Sequence, residues 1–154
     1  MIVDRPAELD RLDVLVGVWE SEATFDAGFF GPGSPEVKGL GRTAFEWMEG
    51  GRFLLQRFTN EHPDAPDGLT VIGLSEGGES TFVQNYFDSR GVARVYRMEI
   101  DGREWRLWRY APGFSQRFAG VIAADGRSIA GAWEASEDGQ TWRHDFRLTY
   151  ARIG

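Results

Sequence analysis

The 154-residue sequence contains no cysteine, only two histidines and no long apolar run. Without cysteine the chain forms neither disulfides nor thiolate ligands, which excludes catalytic thiols, iron–sulfur clusters and cysteine-based zinc sites. No apolar stretch approaches the roughly 18 residues of a membrane helix, and the N-terminal residues MIVDRPAELDRL lack the regions of a signal peptide. These absences predict a soluble, cytoplasmic protein with an ordinary packed core.

Basic residues are in the minority, because 17 Lys+Arg stand against 24 Asp+Glu and give a formal net charge of -7. With no basic block along the chain, we expect neither nucleic acid nor membrane insertion among its interactions. The length fits a single domain over residues 1–154. Enzyme and metal motifs are also lacking, and the acidic run 134–138 matches no calcium-loop spacing, so no metal site is predicted.

Aromatic residues are abundant by contrast, since 6 Trp, 11 Phe and 4 Tyr make 14% of the chain. So many rings need an interior to line or a ligand to contact. One segment has a helical period, with Leu9, Leu12 and Leu15 behind Pro6, and predicts a short plug helix. Ten runs rich in β-branched and aromatic residues then predict strands: 18–25, 40–49, 52–59, 69–75, 80–87, 91–100, 103–110, 114–123, 127–135 and 141–152.

Tight turns separate these ten runs. Asp101-Gly102, Asp125-Gly126 and Asp138-Gly139 are dipeptides that accept positive φ in tight hairpins. Consecutive strands joined by such hairpins form an antiparallel meander, and closing the meander removes its exposed edges. The predicted fold is therefore all-β: an antiparallel up-and-down barrel of about ten strands with a short N-terminal helix.

Alternation along the strands predicts which side chains face the interior, unless a one-residue bulge shifts the pattern. The last strand divides into an inner face of Trp142, His144, Phe146, Leu148 and Tyr150 and an outer face of Arg143, Asp145 and Arg147. The same test on the other strands completes a set of predicted ligand-contacting residues: Trp47, Tyr86, Arg94, Tyr96, Met98, Trp105, Arg109, Phe118, Trp133, His144 and Phe146.

The connection 26–39 is longer than a hairpin needs and carries Phe29 and Phe30 among glycines and prolines. Two interpretations fit this composition. The segment is either a flap over the open end of a barrel or a loop whose two rings seal the core.

Gly17-x-Trp19, after a short helix and before a barrel meander, resembles the signature of the calycin superfamily, which includes lipocalins, fatty-acid-binding proteins and nitrobindins. Five longer segments together resemble a group of bacterial lipocalin-like proteins from actinobacteria. The segments are LDVLVGVW, EGGRFLLQ, YFDSRGVARVYRM, WRLWRYAPGFSQRFAG and IAGAWEASEDGQTWRHDFRLTY. The resemblance covers nearly the whole chain and implies a ten-stranded barrel but no particular reaction. It also implies that Gly17 lets the chain turn from helix into strand. By the same resemblance Trp19 closes the narrow end under an arginine of the last strand, for which Arg143 and Arg147 are candidates.

Fatty-acid-binding proteins hold a carboxylate with an Arg-x-Tyr pair on the last strand, and this chain departs from that pattern. Its Arg-x-Tyr lies at Arg94 and Tyr96 on the sixth run, with Arg109 on the seventh. A buried arginine is costly unless it is paired. These arginines therefore predict an anionic ligand, internal partners among Glu46, Asp88 and Glu99, or side chains that extend to the rim of the barrel. We expect the interior to bind a small, largely apolar molecule that can carry an anionic group.

Three alternatives remain open. The same cavity could catalyse a cyclisation or isomerisation, with His144 as base, Tyr96 beside it and Arg109 stabilising an oxyanion. Nitrobindin-like haem binding would use His144, because the other histidine, His62, lies in a polar loop; otherwise no cofactor is expected. Finally, the rings could fill the barrel completely, in which case the protein would act through its outer surface or as a homodimer.

Overall fold

Ten β-strands follow one another along residues 4–154, the part of the chain that the computed structural model describes. A 3-10 helix, Ala7–Leu15, precedes them. The strands are β1 Gly17–Phe25, β2 Val37–Trp47, β3 Leu54–Asn60, β4 Gly68–Leu74, β5 Phe82–Asp88, β6 Ala93–Asp101, β7 Glu104–Arg109, β8 Ser115–Ile122, β9 Ser128–Ser136 and β10 Arg143–Arg152. All ten predicted strands and the short helix are confirmed.

Each strand pairs antiparallel with the next, and β1 also pairs with β10, which closes the barrel. The hairpins form where the Asp-Gly dipeptides predict them, and Gly102 and Gly126 have φ of +58° and +70°. Closure leaves no sheet edge unpaired, as an up-and-down barrel requires. Among residues 4–154, no helix has both the length and the hydropathy needed to cross a membrane.

The 3-10 helix plugs one end of the barrel with its leucines. Leu9, Leu12 and Leu15 are at most 1% exposed and belong to the hydrophobic core. Trp19 is fully buried beneath them, and its indole N–H donates to the Leu15 carbonyl at 2.9 Å. The three leucines whose spacing predicted the helix therefore close this end of the barrel, which we call the narrow end.

An arginine of the last strand stacks on Trp19, as the calycin resemblance implies, but it is Arg152. Its guanidinium lies 4.1 Å from the Trp19 ring centroid, because β10 pairs Arg152 directly with Trp19. The two candidates Arg143 and Arg147 are wrong, since both side chains are 54% exposed and both residues precede the part of β10 that pairs with Trp19. Arg152 has the inward parity of Tyr150, which Arg147 lacks, and Arg143 lies at the other end of β10 from Arg152.

Gly17 stands where the helix meets β1 and has a φ of +133°. A Cβ at this position would lie 2.6 Å from the Gly154 carbonyl oxygen. Both the conformation and the close approach of Gly154 require glycine here.

A β-bulge interrupts the alternation at the start of β10. The register against β9 shifts between His144 and Phe146, so that Asp145 and Phe146 both face the barrel interior. The predicted inward orientation of His144 is wrong, because this extra residue reverses the faces of the preceding positions. Trp142 also lies outside, with the Arg117 guanidinium 4.0 Å from its ring centroid.

Candidate functional site

The barrel encloses a cavity of about 530 Å³ at the end opposite the plug helix. Side chains from the loops around residues 26–36, 61–67, 89–92 and 110–114 surround its opening, which we call the mouth. The rings therefore do not fill this barrel, and the interpretation of a completely filled interior is wrong.

Most of the predicted ligand-contacting residues line this cavity: Tyr86, Arg94, Tyr96, Trp105, Phe118, Trp133 and Phe146. Their rings form a continuous belt. Trp133 lies 5.7 Å from Tyr96 and 5.3 Å from Phe118, and Phe118 lies 5.2 Å from Trp105. Two of these contacts are edge-to-face and that between Trp133 and Phe118 is tilted, and together they hold the rings in fixed orientations and leave their remaining faces to the cavity.

Trp47 and Met98 lie nearer the narrow end and do not line the cavity. The Trp47 indole N–H donates to the Asp13 carboxylate at 2.9 Å, and the Arg5 guanidinium lies 4.3 Å from its ring. Met98 is fully buried one inward position closer to the plug helix than Tyr96. Alternation predicted correctly that both side chains face the interior. Their positions along the barrel axis, however, place them with the hydrophobic core near the narrow end and not in the cavity wall.

Arg109 and His144 are also outside the cavity wall. Arg109 donates to the Phe114 carbonyl at 3.0 Å and braces the turn between β7 and β8. The His144 side chain is 40% exposed, with Nε2 3.5 Å from the Asp26 carboxylate. The predicted set of His144, Tyr96 and Arg109 is therefore not assembled in one cavity. Haem ligation through His144 does not fit either, because this imidazole points away from the interior.

Arg94 and Tyr96 meet at a shared acceptor on the cavity wall. The Tyr96 hydroxyl donates to the Gln116 amide oxygen at 2.7 Å, and Arg94 Nη1 donates to the same oxygen at 3.3 Å. Burial raises the pKa of Tyr96, although the neighbouring Arg94 acts in the opposite direction. This side chain is therefore a neutral phenol at physiological pH.

Arg94 has no carboxylate partner among residues 4–154, and neither has Arg109. The three predicted partners are engaged elsewhere: Glu46 faces Arg57, Asp88 binds Arg90, and Glu99 accepts the Thr81 N–H. The predicted internal pairing is wrong, because Glu46 and Glu99 sit on outward positions of their strands. Arg94 thus presents an uncompensated charge to the cavity.

A second arginine at the mouth is neutralised. Arg90 Nη2 lies 2.7 Å from the carboxylate of Asp88, whose side chain has no exposed surface. Asp88 also accepts the Tyr86 hydroxyl at 2.8 Å and the Arg90 backbone N–H at 2.9 Å. Arg90 and these hydrogen bonds hold the pKa of Asp88 well below its usual range, while burial and Asp88 raise the pKa of Tyr86. This cluster stabilises the β5–β6 turn.

Polar side chains that sequence reasoning missed also face the interior. Gln56 donates to Thr43 at 3.0 Å and accepts the Thr70 hydroxyl at 2.9 Å, which satisfies all three side chains internally. In the part of the chain described, Gln84 Oε1 and Trp105 Nε1 are buried without a hydrogen-bond partner. Alternation could have found both glutamines, since they occupy inward positions of β3 and β5.

The long connection between β1 and β2 lies at the mouth. Phe29 and Phe30 line the cavity but remain 42% and 57% exposed, so they do not seal the core. Their ring centroids lie 4.9 and 5.3 Å from that of Phe25, which itself packs 5.1 Å from Phe146. The position of Phe29 and Phe30 at the mouth agrees with the interpretation of this segment as a flap.

The other histidine, His62, is at the mouth as well, where Nδ1 accepts the Asp64 N–H at 3.1 Å.

The barrel is similar to solved structures of very different sequence. The crystal structure of Rv2717c from M. tuberculosis matches with a TM-score of 0.63 and 13% identity, over 98% of this chain and 100% of that one. An S-type phycobiliprotein lyase, CPES from Guillardia theta, matches with a TM-score of 0.57 and 10% identity, over 97% and 99%. No protein-family model and no curated protein matches the sequence. At these identities the likeness shows the fold, a closed calycin-like barrel of ten strands.

Proposed function

We propose that the barrel binds a small, largely apolar molecule with an anionic group, the apolar part among the rings and the anionic group against Arg94. The observation that carries this proposal is an arginine without a carboxylate partner on the wall of a ring-lined cavity of about 530 Å³. Small-molecule sites are typically concave, mostly apolar and about 300–1,000 Å³ in volume, with a few polar groups that orient the ligand.

The electrostatics favour an anion at Arg94 over one at Arg90. Arg94 is half-buried and bonded to a neutral amide oxygen, whereas the charge of Arg90 is balanced by Asp88 at 2.7 Å. A partly desolvated guanidinium gains most from a ligand carboxylate or sulfonate, because its planar fork can donate two parallel hydrogen bonds. Gln116 and Phe114, whose ring lies 5.4 Å from the Arg94 guanidinium, hold this fork in place.

A reaction in the same cavity is the second candidate function, and the solved phycobiliprotein lyase with a similar barrel supports it at the level of fold alone. The side chains favour binding over catalysis, because His144 and Arg109, the proposed base and oxyanion donor, do not line the cavity.

We also propose that the chain belongs to the actinobacterial lipocalin-like group that its motifs resemble. The absence of a resident cofactor stays a prediction, which an absorption spectrum of the purified protein would test through a Soret band.

Two related fluorescent probes test the binding proposal. 1-Anilinonaphthalene-8-sulfonate carries an anionic group, and N-phenyl-1-naphthylamine has the same rings without it. We expect both to bind the wild-type protein and Arg94→Gln to weaken only the sulfonate, by about tenfold, since a hydrogen bond to a charged group contributes about 1.5–3 kcal/mol. Arg106→Gln is the matched control, because Arg106 is exposed on the outer face of β7.

Failure of both probes to bind would overturn the proposed cavity function. Equal weakening of both probes by Arg94→Gln would mean that the substitution perturbs the cavity as a whole, and would overturn the assignment of Arg94 to the anion. Native mass spectrometry of the purified protein complements these titrations by detecting a retained small molecule.

A further inference from the structure

The bulge on β10 gives the cavity a carboxylate that regular alternation would place outside. Asp145 lines the cavity next to Phe146, whereas the side chains of Arg143 and Arg147 are 54% exposed and do not line it. Two consecutive inward residues are the mark of a bulge, and bulges re-aim side chains at functional sites. The chain thus interrupts a strand at the position that turns an acidic side chain inward.

The described residues around Asp145 donate no hydrogen bond to its carboxylate. Its side chain is only 12% exposed, and the nearby wall is formed by Phe146 with Phe25 and Trp133 around it. Within residues 4–154 the only cation closer than 4 Å is Arg143, with Nη1 3.7 Å from Oδ1, beyond hydrogen-bond distance. No donor among these residues bonds the carboxylate.

A carboxylate held in this way is costly to ionise. Burial raises the pKa of Asp145, and Arg143 and His144 offset this only in part. By comparison, the exposed Asp138 accepts hydrogen bonds from Ser136, Gln140 and Thr141, which lower its pKa to about 2. A partner that donates a hydrogen bond to Asp145 from within the cavity would recover the solvation that burial removes.

We propose that Asp145 is a ligand-binding residue that accepts a hydrogen bond from an amine or other N–H group of the bound molecule. The inference rests on the proposed function and narrows its ligand class. The molecule is apolar in its middle part, carries an acidic group that meets Arg94, and carries an N–H donor, best a protonated amine, that meets Asp145. Charge-assisted hydrogen bonds of this kind are stronger than neutral ones, so each end adds specificity to the apolar contacts.

Dansylcadaverine tests this assignment, because it joins an apolar fluorophore to an amine that is protonated at neutral pH. The reference probe is the dansyl amide of pentylamine, which lacks the terminal amine. We expect Asp145→Asn to weaken dansylcadaverine by about tenfold and to leave the reference probe within about twofold. Asp26→Asn is the matched control, because it removes an exposed carboxylate near the mouth that does not line the cavity. It should leave both probes nearly unchanged at 0.15 M salt, where exposed charges are screened.

A second variant tests the inference without altering Asp145. Arg143→Gln removes the cation that lies 3.7 Å from the carboxylate, so dansylcadaverine should bind at least as tightly as to the wild type. Weaker binding of this probe by Arg143→Gln would overturn the proposal, as would an unchanged affinity in Asp145→Asn. If the naphthalene probes bind and Asp145→Asn has no selective effect, the proposed function stands and only the Asp145 assignment falls. If neither probe pair binds, both proposals fall.

Discussion

Among the arginines of β10, Arg152 is the one whose replacement should destabilise the barrel most. Arg152 donates to the carbonyls of Val14 at 2.6 Å, Val16 and Gly126 at 3.1 Å, and stacks 4.1 Å above Trp19. One side chain thereby joins the plug helix, the turn between β8 and β9, and the last strand. Arg152→Gln keeps part of the packing volume but deletes the charge and the planar fork.

The magnitude follows from these contacts. A cation–π contact contributes about 1 kcal/mol, and a hydrogen bond from a charged donor about 1.5–3 kcal/mol. Burial lowers the pKa of Arg152, so the desolvation of the guanidinium offsets part of this gain. The contacts share one group and are not additive, and we therefore expect a loss of about 3 kcal/mol in the free energy of unfolding.

Urea unfolding followed by far-ultraviolet circular dichroism measures this loss. With a slope of about 2 kcal/mol per molar, Arg152→Gln should lower the midpoint by about 1.5 M. Arg143→Gln is the control on the same strand, because its guanidinium is 54% exposed and lies beyond hydrogen-bond distance of Asp145, at 3.7 Å, so that its loss should cost less than about 1 kcal/mol. Equal midpoints for the two variants would refute the role assigned to Arg152 in closing the narrow end.

Two further predictions concern the cavity wall and the mouth. In Gly131→Ala the new Cβ would lie 2.5 Å from the Phe118 ring and 2.9 Å from the Ala119 carbonyl oxygen, so the ring must move into the cavity. We expect a loss of about 1–3 kcal/mol in stability together with weaker binding of the anilinonaphthalene probe, and no change in either would contradict it. Asp88→Asn removes the carboxylate that binds Arg90 and should cost about 2 kcal/mol at pH 7. Because the folded-state pKa of Asp88 is depressed, its contribution is complete above the unfolded pKa of about 4 and is lost as the pH falls below it. The difference between wild type and Asp88→Asn in urea unfolding should therefore shrink from pH 7 to pH 2.5, and a constant difference would disprove the linkage.

Local signals in the sequence were sufficient for most of the architecture. Strand residues alternate in hydrophobicity with a period of two, and the Asp-Gly turns force consecutive strands to pair, so strand number and order follow from neighbours in the chain. The leucine spacing of the plug helix and the inward parity of Tyr96 and Trp105 come from the same local pattern. Seven of the residues expected in the cavity wall lie there for this reason.

The bulge at His144 could not be read from local pattern. Either register at the start of β10 leaves an aromatic or charged residue outside, and the choice depends on the pairing with β9 across the turn 137–142, which alternation along β10 alone does not encode. This one-residue shift moved His144 out and Asp145 in. It therefore removed the histidine on which the haem and enzyme alternatives depended and supplied the carboxylate that the sequence placed outside.

Composition, periodicity and turn chemistry by themselves predicted ten antiparallel strands and a plug helix, because these depend on the residue types at adjacent positions, and closure followed from the need to remove exposed sheet edges. Only the tertiary structure decided how deep each inward side chain lies in the barrel and which side chains it contacts. It placed Met98 and Trp47 between the cavity and the plug helix, paired Arg152 rather than Arg143 or Arg147 with Trp19, and left Arg94 without a carboxylate partner among residues 4–154. These outcomes depend on how strands far apart in the chain align around the barrel, and alternation along a single strand carries no information about that alignment.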